Sequence, residues 1–132
     1  MILGLGTDVC PAARWQHLLE RFGEKALRRV LASEEADYLL RGNRMRLPER
    51  AAGRWALREA FGKALGVGLD GWSWKQLRYL DGKLWAEGEL AVMIQARGIQ
   101  RIHGSVTHDG GTAIAVVILE GLDSQARVPI ND

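Results

Sequence analysis

The stretch from Arg50 to Gly66 constrains this chain more than any other. It is dense in Ala, Leu, Arg and Glu, which cost little to place in a helix. Pro48 suits a first helical turn, where a missing N–H is no loss. Gly66 suits the left-handed cap at the far end. At about 100° per residue, Leu57, Phe61, Ala64 and Leu65 form one apolar stripe, and Ala52, Trp55 and Ala56 fall on another side. Apolar residues thus occupy most of the circumference, which predicts a buried central helix. Glu59 and Lys63 lie on the second side, four residues apart and within mutual reach. A carboxylate among Ala52, Trp55 and Ala56 needs compensation. The simpler compensation is a Glu59–Lys63 pair. The alternative is a metal ion at Glu59, with Lys63 left free for an anion.

A chain of 132 residues with 47% hydrophobic and 26% charged residues fits one globular domain. Its net charge of +2 is unevenly spread: residues 1–66 hold 12 Lys/Arg against 8 Asp/Glu, and residues 67–132 hold 6 against 8. The basic half is mostly Arg, whose planar guanidinium favours bidentate anion recognition, as for phosphate, nucleic acid or an acidic protein surface. One cysteine, Cys10, excludes an intrachain disulfide and a cysteine-based zinc cluster. A cytoplasmic protein is expected: the first residues lack a basic region before a long apolar run, and no run approaches a membrane span.

Residues 1–9 read as a short buried strand ending at Thr7-Asp8. Gly4 and Gly6 lack the third glycine of a dinucleotide fingerprint; inside a strand they mark a bulge or a close backbone approach. Asp8 is either a turn former before Pro11 or a functional acid at a strand end. Residues 11–22 predict an amphipathic helix with Trp15, Leu18, Leu19 and Phe22 inward. Residues 24–31 predict a short helix exposing Arg28 and Arg29. Ser33 is expected to cap a helix over residues 34–40, whose Glu34 and Glu35 suit its N-terminal dipole. Residues 41–46 form a basic loop. Residues 72–80 and 83–86 predict a hairpin about Asp81-Gly82. Residues 89–97 predict a helix. Residues 101–108 and 113–119 predict two strands, the last so apolar that it belongs in a sheet centre. Residues 121–132 lack periodicity and are expected to be a tail beyond a domain over 1–120. The pattern predicts an α+β fold, a mainly antiparallel sheet packed on the long central helix.

Metalloprotease, Walker A and nucleophile-elbow motifs are absent. What stands out is coherent: Asp8 at a strand end, Glu59 on a buried helix, Lys63 one turn on, and glycines after it. Two carboxylates, a lysine and a glycine loop suit Mg²⁺ with phosphate, since Mg²⁺ commonly takes one or two carboxylates and completes its shell with phosphate oxygens and water.

Three segments then match one family in order. Gly4-Leu5-Gly6-Thr7-Asp8-Val9 is similar to its opening motif. The segment from Arg54 to Gly66, with Arg54, Glu59, Lys63 and Gly66 in register, is similar to its helix motif. Ser105-Val106-Thr107-His108 is similar to its strand motif. Over residues 1–120 the chain resembles the holo-acyl-carrier-protein synthases, the short 4′-phosphopantetheinyl transferases. The resemblance implies an α+β unit that forms a homotrimer with active sites at subunit interfaces. It implies transfer of phosphopantetheine from coenzyme A to a serine of an apo acyl carrier protein, for fatty acid or more specialised lipid or polyketide synthesis. It implies Asp8 and Glu59 as Mg²⁺ ligands, with Lys63 on phosphate and in catalysis. Arg54, Gly66, Gly68, Ser105 and His108 would line the coenzyme A site. The serine proton would pass to a metal-activated water or to Glu59. Arg14, Arg21 and Arg28 would meet the acidic carrier.

The chain departs from the family pattern in four places. Arg58 stands where lysine is usual, Val67 where threonine is usual, Leu84 where proline follows Gly82-Lys83, and the loop Asp109 to Thr112 is slight. These bear on substrate preference and rate more than on fold and leave room for a paralogue serving a specialised carrier protein; the alternative reading is a paralogue that binds coenzyme A or a carrier without turnover. A nucleic-acid-binding module rests on the Arg-rich half alone and lacks a recognition motif; neither nucleic acid nor membrane is an expected partner.

Overall fold

The computed structural model describes residues 1–66 and 72–122. Strand β1 (Ile2–Pro11) leads into helices α1 (Ala12–Phe22), α2 (Lys25–Val30) and α3 (Ser33–Arg41). A 3₁₀ turn at Arg44–Arg46 precedes the long helix α4 (Leu47–Leu65). A second 3₁₀ turn, Trp74–Gln76, leads to strands β2 (Leu77–Leu80) and β3 (Lys83–Ala86), helix α5 (Gly88–Ala96), and strands β4 (Ile99–Asp109) and β5 (Thr112–Gly121). Residues 67–71 apart, the expected helices and strands are present, and the fold is α+β. Gly68 and residues 123–132, the greater part of the expected tail, lie outside the described residues.

Strand β5 is the centre of a three-stranded antiparallel sheet of order β1-β5-β4, and β2 and β3 form a separate hairpin. Its turn at Asp81-Gly82 has positive φ at both residues (52° and 72°), the geometry that matches the twist of flanking strands. Helix α4 lies across one face of the sheet. Ala52, Ala56, Leu57, Ala60 and Phe61 are wholly buried there with Ala113, Ala115, Val117 and Leu119 of β5. Pro48 sits in the first turn of α4, and Gly66 closes it in the left-handed conformation at φ 74°.

Gly4 and Gly6 explain how closely these layers pack. A β-carbon on Gly4 would run into the carbonyl oxygen of Ala64, and one on Gly6 into that of Ala60. Close approach holds at both glycines, and an irregular register at Gly4 alone, where the β1–β5 pairing shifts between Ile2 and Gly4. The glycines therefore belong to helix–sheet packing rather than to nucleotide binding.

Several local expectations fail. Strand β1, expected to be buried, is a sheet edge with Leu5 and Val9 exposed, and Phe22, expected inward, is half exposed. Ser33 is the first residue of α3 rather than its cap. Ala32, with extended backbone, holds the cap position and supplies no side-chain bond. The predicted strand over 72–80 begins only at Leu77. Ser73 caps the intervening 3₁₀ turn by accepting from the Lys75 amide, with Gln76 bonding back.

The core also holds a charged cluster. Arg58 and Glu35 are both fully buried. The Arg58 guanidinium donates to both Glu35 oxygens (2.6 and 3.1 Å) and to the carbonyls of Leu77 (2.8 Å), Trp74 (3.3 Å) and Arg54 (3.2 Å). The Tyr79 amide donates to Glu35 at 3.0 Å. These bonds tie α3, α4 and the start of the hairpin together. A lysine at 58 has no planar fork with which to do this.

Candidate active site

Even-numbered residues of β1 face α4. Gly4 and Gly6 allow the approach, Cys10 is buried in the core, and between them Asp8 projects toward the helix, its side chain 16% exposed. Glu59 and Lys63 are one turn apart on the facing side of α4. The Glu59–Lys63 pair expected from their spacing is not what forms. The Lys63 ammonium instead donates to Asp8 Oδ1 (3.0 Å) and to the carbonyl of Thr7 (3.0 Å), more than fifty residues away in sequence.

Partial burial holds the Glu59 carboxyl above the usual glutamate range, and the neighbouring Asp8 charge adds to this; Lys63 and Arg14 pull the other way. Two carboxylates from two elements thus face one site and repel each other across it. Among the described residues no three His, Cys, Asp or Glu gather as a ready-made metal cage. The donor set is an acidic pair with a lysine, which fits a cation that fills its remaining positions with phosphate oxygens and water rather than one held by protein alone.

Beside Glu59 a groove of about 490 Å³ opens between α1, α2 and α4. Its floor is apolar, with Trp15, Leu18, Phe22 and Trp55; its rim carries Arg14, Lys25 and Arg29. Trp15 and Trp55 pack at 6.3 Å between ring centroids, and Trp55 continues onto Trp74 at 5.5 Å. Lys25 and Arg29 were not among the sequence-derived candidates. Their i,i+4 spacing beside Ala26 and Val30 was the available signal. Arg28, which was a candidate, is only partly exposed and is engaged by Asp37 at 2.7 Å and Glu24 at 3.6 Å. Arg21 is exposed and lies over the Phe22 ring.

The other candidates lie elsewhere in the chain. Arg54 is turned toward Glu35 (3.2 Å) and stacks on Tyr79, and burial pushes its guanidinium below the usual arginine range. Gly66 ends α4. Ser105 is exposed on the face of the sheet away from α4. His108 lies on the α4 face but near the start of that helix, its Nε2 3.1 Å from the carbonyl oxygen of Glu49. A β-carbon on Gly53 would come within 2.9 Å of that ring, so this glycine lets the imidazole lie against α4. Register sets Asp8 beside Ala115 and Ala115 beside Val106, so β4 is two strands, or about 10 Å, from Asp8. One chain therefore brings together Asp8, Glu59, Lys63 and Arg14, and keeps Ser105 and His108 apart from them.

A strand-borne acid bonded to Lys63 thus lies near a helix-borne acid that lines a cation-rimmed apolar groove. The family model of the 4′-phosphopantetheinyl transferase superfamily matches residues 4–117, and the chain belongs to that superfamily. Within it the chain falls among the holo-acyl-carrier-protein synthases. It is 37% identical to the one from Cutibacterium acnes over 92% of this chain and all of the relative. It is 41% identical to the one from Anaeromyxobacter dehalogenans over 92% of this chain and 98% of the relative. The fold matches the Neisseria meningitidis synthase at a TM-score of 0.82 and 28% identity, covering 91% and 99% of the two chains. It matches the Helicobacter pylori synthase, solved in complex with coenzyme A, at 0.74 and 29% over 88% and 99%. Among the described residues no helix is long and apolar enough to cross a membrane.

Proposed function

We infer that this chain transfers the 4′-phosphopantetheine group of coenzyme A to a serine hydroxyl of an apo acyl carrier protein, leaving adenosine 3′,5′-bisphosphate. The observation that carries this reading is the nearness of Asp8, paired with Lys63, to Glu59, which itself lines the groove. The serine oxygen forms a new bond to the phosphorus next to pantetheine, and the bond from that phosphorus to the bridging pyrophosphate oxygen breaks. Such a step is chiefly positioning and charge stabilisation. Asp8 and Glu59 are the residues that would hold Mg²⁺, which when bound polarises the pyrophosphate. The Lys63 ammonium balances charge that builds on the leaving oxygens. Glu59, with its raised proton affinity, is the protein group suited to receive the serine proton.

The apolar floor and cationic rim of the groove suit an acidic, amphipathic carrier helix. We assign its recognition to Arg14, Lys25 and Arg29, with Arg21 at the edge, and give Arg28 a structural role. Incubation with coenzyme A, Mg²⁺ and a bacterial apo carrier protein is expected to add one phosphopantetheine to the carrier's intact mass, and a chelator is expected to abolish the gain. A carrier left unmodified but bound would favour the non-catalytic paralogue. In the same assay each of Arg14→Ala, Lys25→Ala and Arg29→Ala is expected to raise KM for the carrier about three- to tenfold, with the effect shrinking in high salt. Arg28→Ala should leave KM within about twofold.

A homotrimer accounts for the placement of Ser105 and His108. The sheet face away from α4 exposes Leu5 (61%), Val9 (58%) and Ile114 (43%), and β5 is apolar on both faces while the chain covers only one. A contiguous apolar face of this kind marks an association surface. In a trimer Ser105, His108 and the basic residues 41–46 of one copy would serve the Asp8–Glu59 site of the next; sedimentation at three chain masses checks it. We place the protein in the cytoplasm, where the buried Cys10 thiol stays reduced.

A further inference from the structure

Lys63 does something that its distance from Glu59 in sequence does not suggest: it neutralises Asp8. Its ammonium lies 3.0 Å from Asp8 Oδ1 and is held on its other side by the Thr7 carbonyl, also at 3.0 Å. The Asp8 carboxylate is largely enclosed, whereas Lys63 is 57% exposed. The acid is thus the fixed member of the pair and the lysine the mobile one. A divalent cation shared by Asp8 and Glu59 needs the same carboxylate, and two cations cannot both sit against one enclosed oxygen pair without repulsion.

We propose that Lys63 is an internal counter-ion of Asp8 that a divalent cation must displace, so that metal loading and the release of Lys63 toward phosphate are one coupled event. This rests on the reading of Asp8 and Glu59 as metal ligands. Lys63 therefore lowers the affinity of the free protein for metal, and metal binding favours its release for the pyrophosphate. A lysine that met only phosphate would aid metal binding to the nucleotide-bound protein and leave the free protein unaffected. By linkage, coenzyme A that draws Lys63 away tightens metal binding, and metal that frees Lys63 tightens coenzyme A binding by the same factor.

The test is Mn²⁺ binding to the full chain without coenzyme A, followed by electron paramagnetic resonance, with thermal unfolding recorded for each variant. Lys63→Gln is expected to tighten Mn²⁺ binding about three- to fivefold, the scale of a partly exposed ion pair. Asp8→Asn is expected to abolish it. Arg14→Gln removes a charge that acts on Glu59 but makes no contact with Asp8, and should tighten binding clearly less than Lys63→Gln. Unchanged or weaker binding by Lys63→Gln, with Asp8→Asn still abolishing it, overturns the counter-ion role and leaves the metal site standing. An equal gain from Arg14→Gln overturns it too, since the effect would then be through-space charge. Wild-type binding by Asp8→Asn sinks the metal reading itself, and the proposal with it.

Discussion

Glu59→Gln is expected to slow phosphopantetheine transfer by roughly a thousandfold, about 4 kcal/mol of transition-state stabilisation. The amide keeps the shape of the carboxyl group but removes one of the two negative charges that would hold a divalent cation beside Asp8. It also removes the group suited to take the serine proton. Steady-state kinetics with an apo carrier and saturating coenzyme A measure the loss; a variant within tenfold of wild type would take Glu59 out of the machinery. The same change should have the opposite effect on the fold. Burial and Asp8 raise the Glu59 carboxyl above its usual range, so the folded protein binds that proton more tightly than the unfolded chain does. The stability this group contributes is full below the ordinary glutamate range and is lost as pH rises through the elevated value. In metal-free buffer at neutral pH, Glu59→Gln should therefore be more stable than wild type. The gap should close as pH falls through the elevated value toward the ordinary glutamate range. Chemical denaturation at several pH values, with chelator present, reads this directly.

Glu35→Ala carries the largest expected effect on stability, a loss of about 3–5 kcal/mol. It strands Arg58 with no counter-charge in a fully buried place and leaves Arg54 without its carboxylate. It also removes the acceptor for the Tyr79 amide. For a chain of this length the melting temperature should fall by roughly 10 °C or more. Glu35→Leu combined with Arg58→Met, which removes both charges and keeps the volume, should recover part of the loss, because the fully buried guanidinium is no longer stranded and only Arg54 still lacks its carboxylate. If the double variant were as unstable as Glu35→Ala, the loss would lie in packing rather than in the stranded guanidinium. Arg58→Lys restores the residue usual in the family and should cost less, since it keeps the charge and loses mainly the two-pronged bond and some carbonyl bonds.

The long helix and the central strand were readable in advance, because an apolar pattern over ten or more residues has few alternative explanations. Pro48 and Gly66 marked the helix ends by their backbone chemistry alone. Ser33 misled because capping depends on which residue keeps extended backbone, and that fell to Ala32. The site was half legible. Its acids could be named from their motifs, and the Glu59–Lys63 spacing was real. Spacing, however, gives reach and not choice, and Lys63 chose an acid on a strand it meets only through folding. Arg58 could be singled out as a departure, but its partner Glu35 is twenty-three residues away and no local pattern links them. The three arginines offered for a carrier, two on α1 and one on α2, look equivalent in sequence, and only folding brings Asp37 of α3 onto Arg28.

Gly4 and Gly6 give the site a property that none of its charged residues could provide. Asp8 is carried by the strand and Glu59 by the helix, so the gap between the two acids is whatever the strand-to-helix spacing happens to be. That spacing is set two and four residues upstream of Asp8, where the backbone of β1 rests against the carbonyls of Ala60 and Ala64 with no side chain in between. The calibration of the site therefore resides in two positions that touch no reactant, and a single methyl group there acts as a wedge on every atom downstream. An inventory of reactive groups would pass over both glycines, yet they hold the dimension on which the chemistry depends.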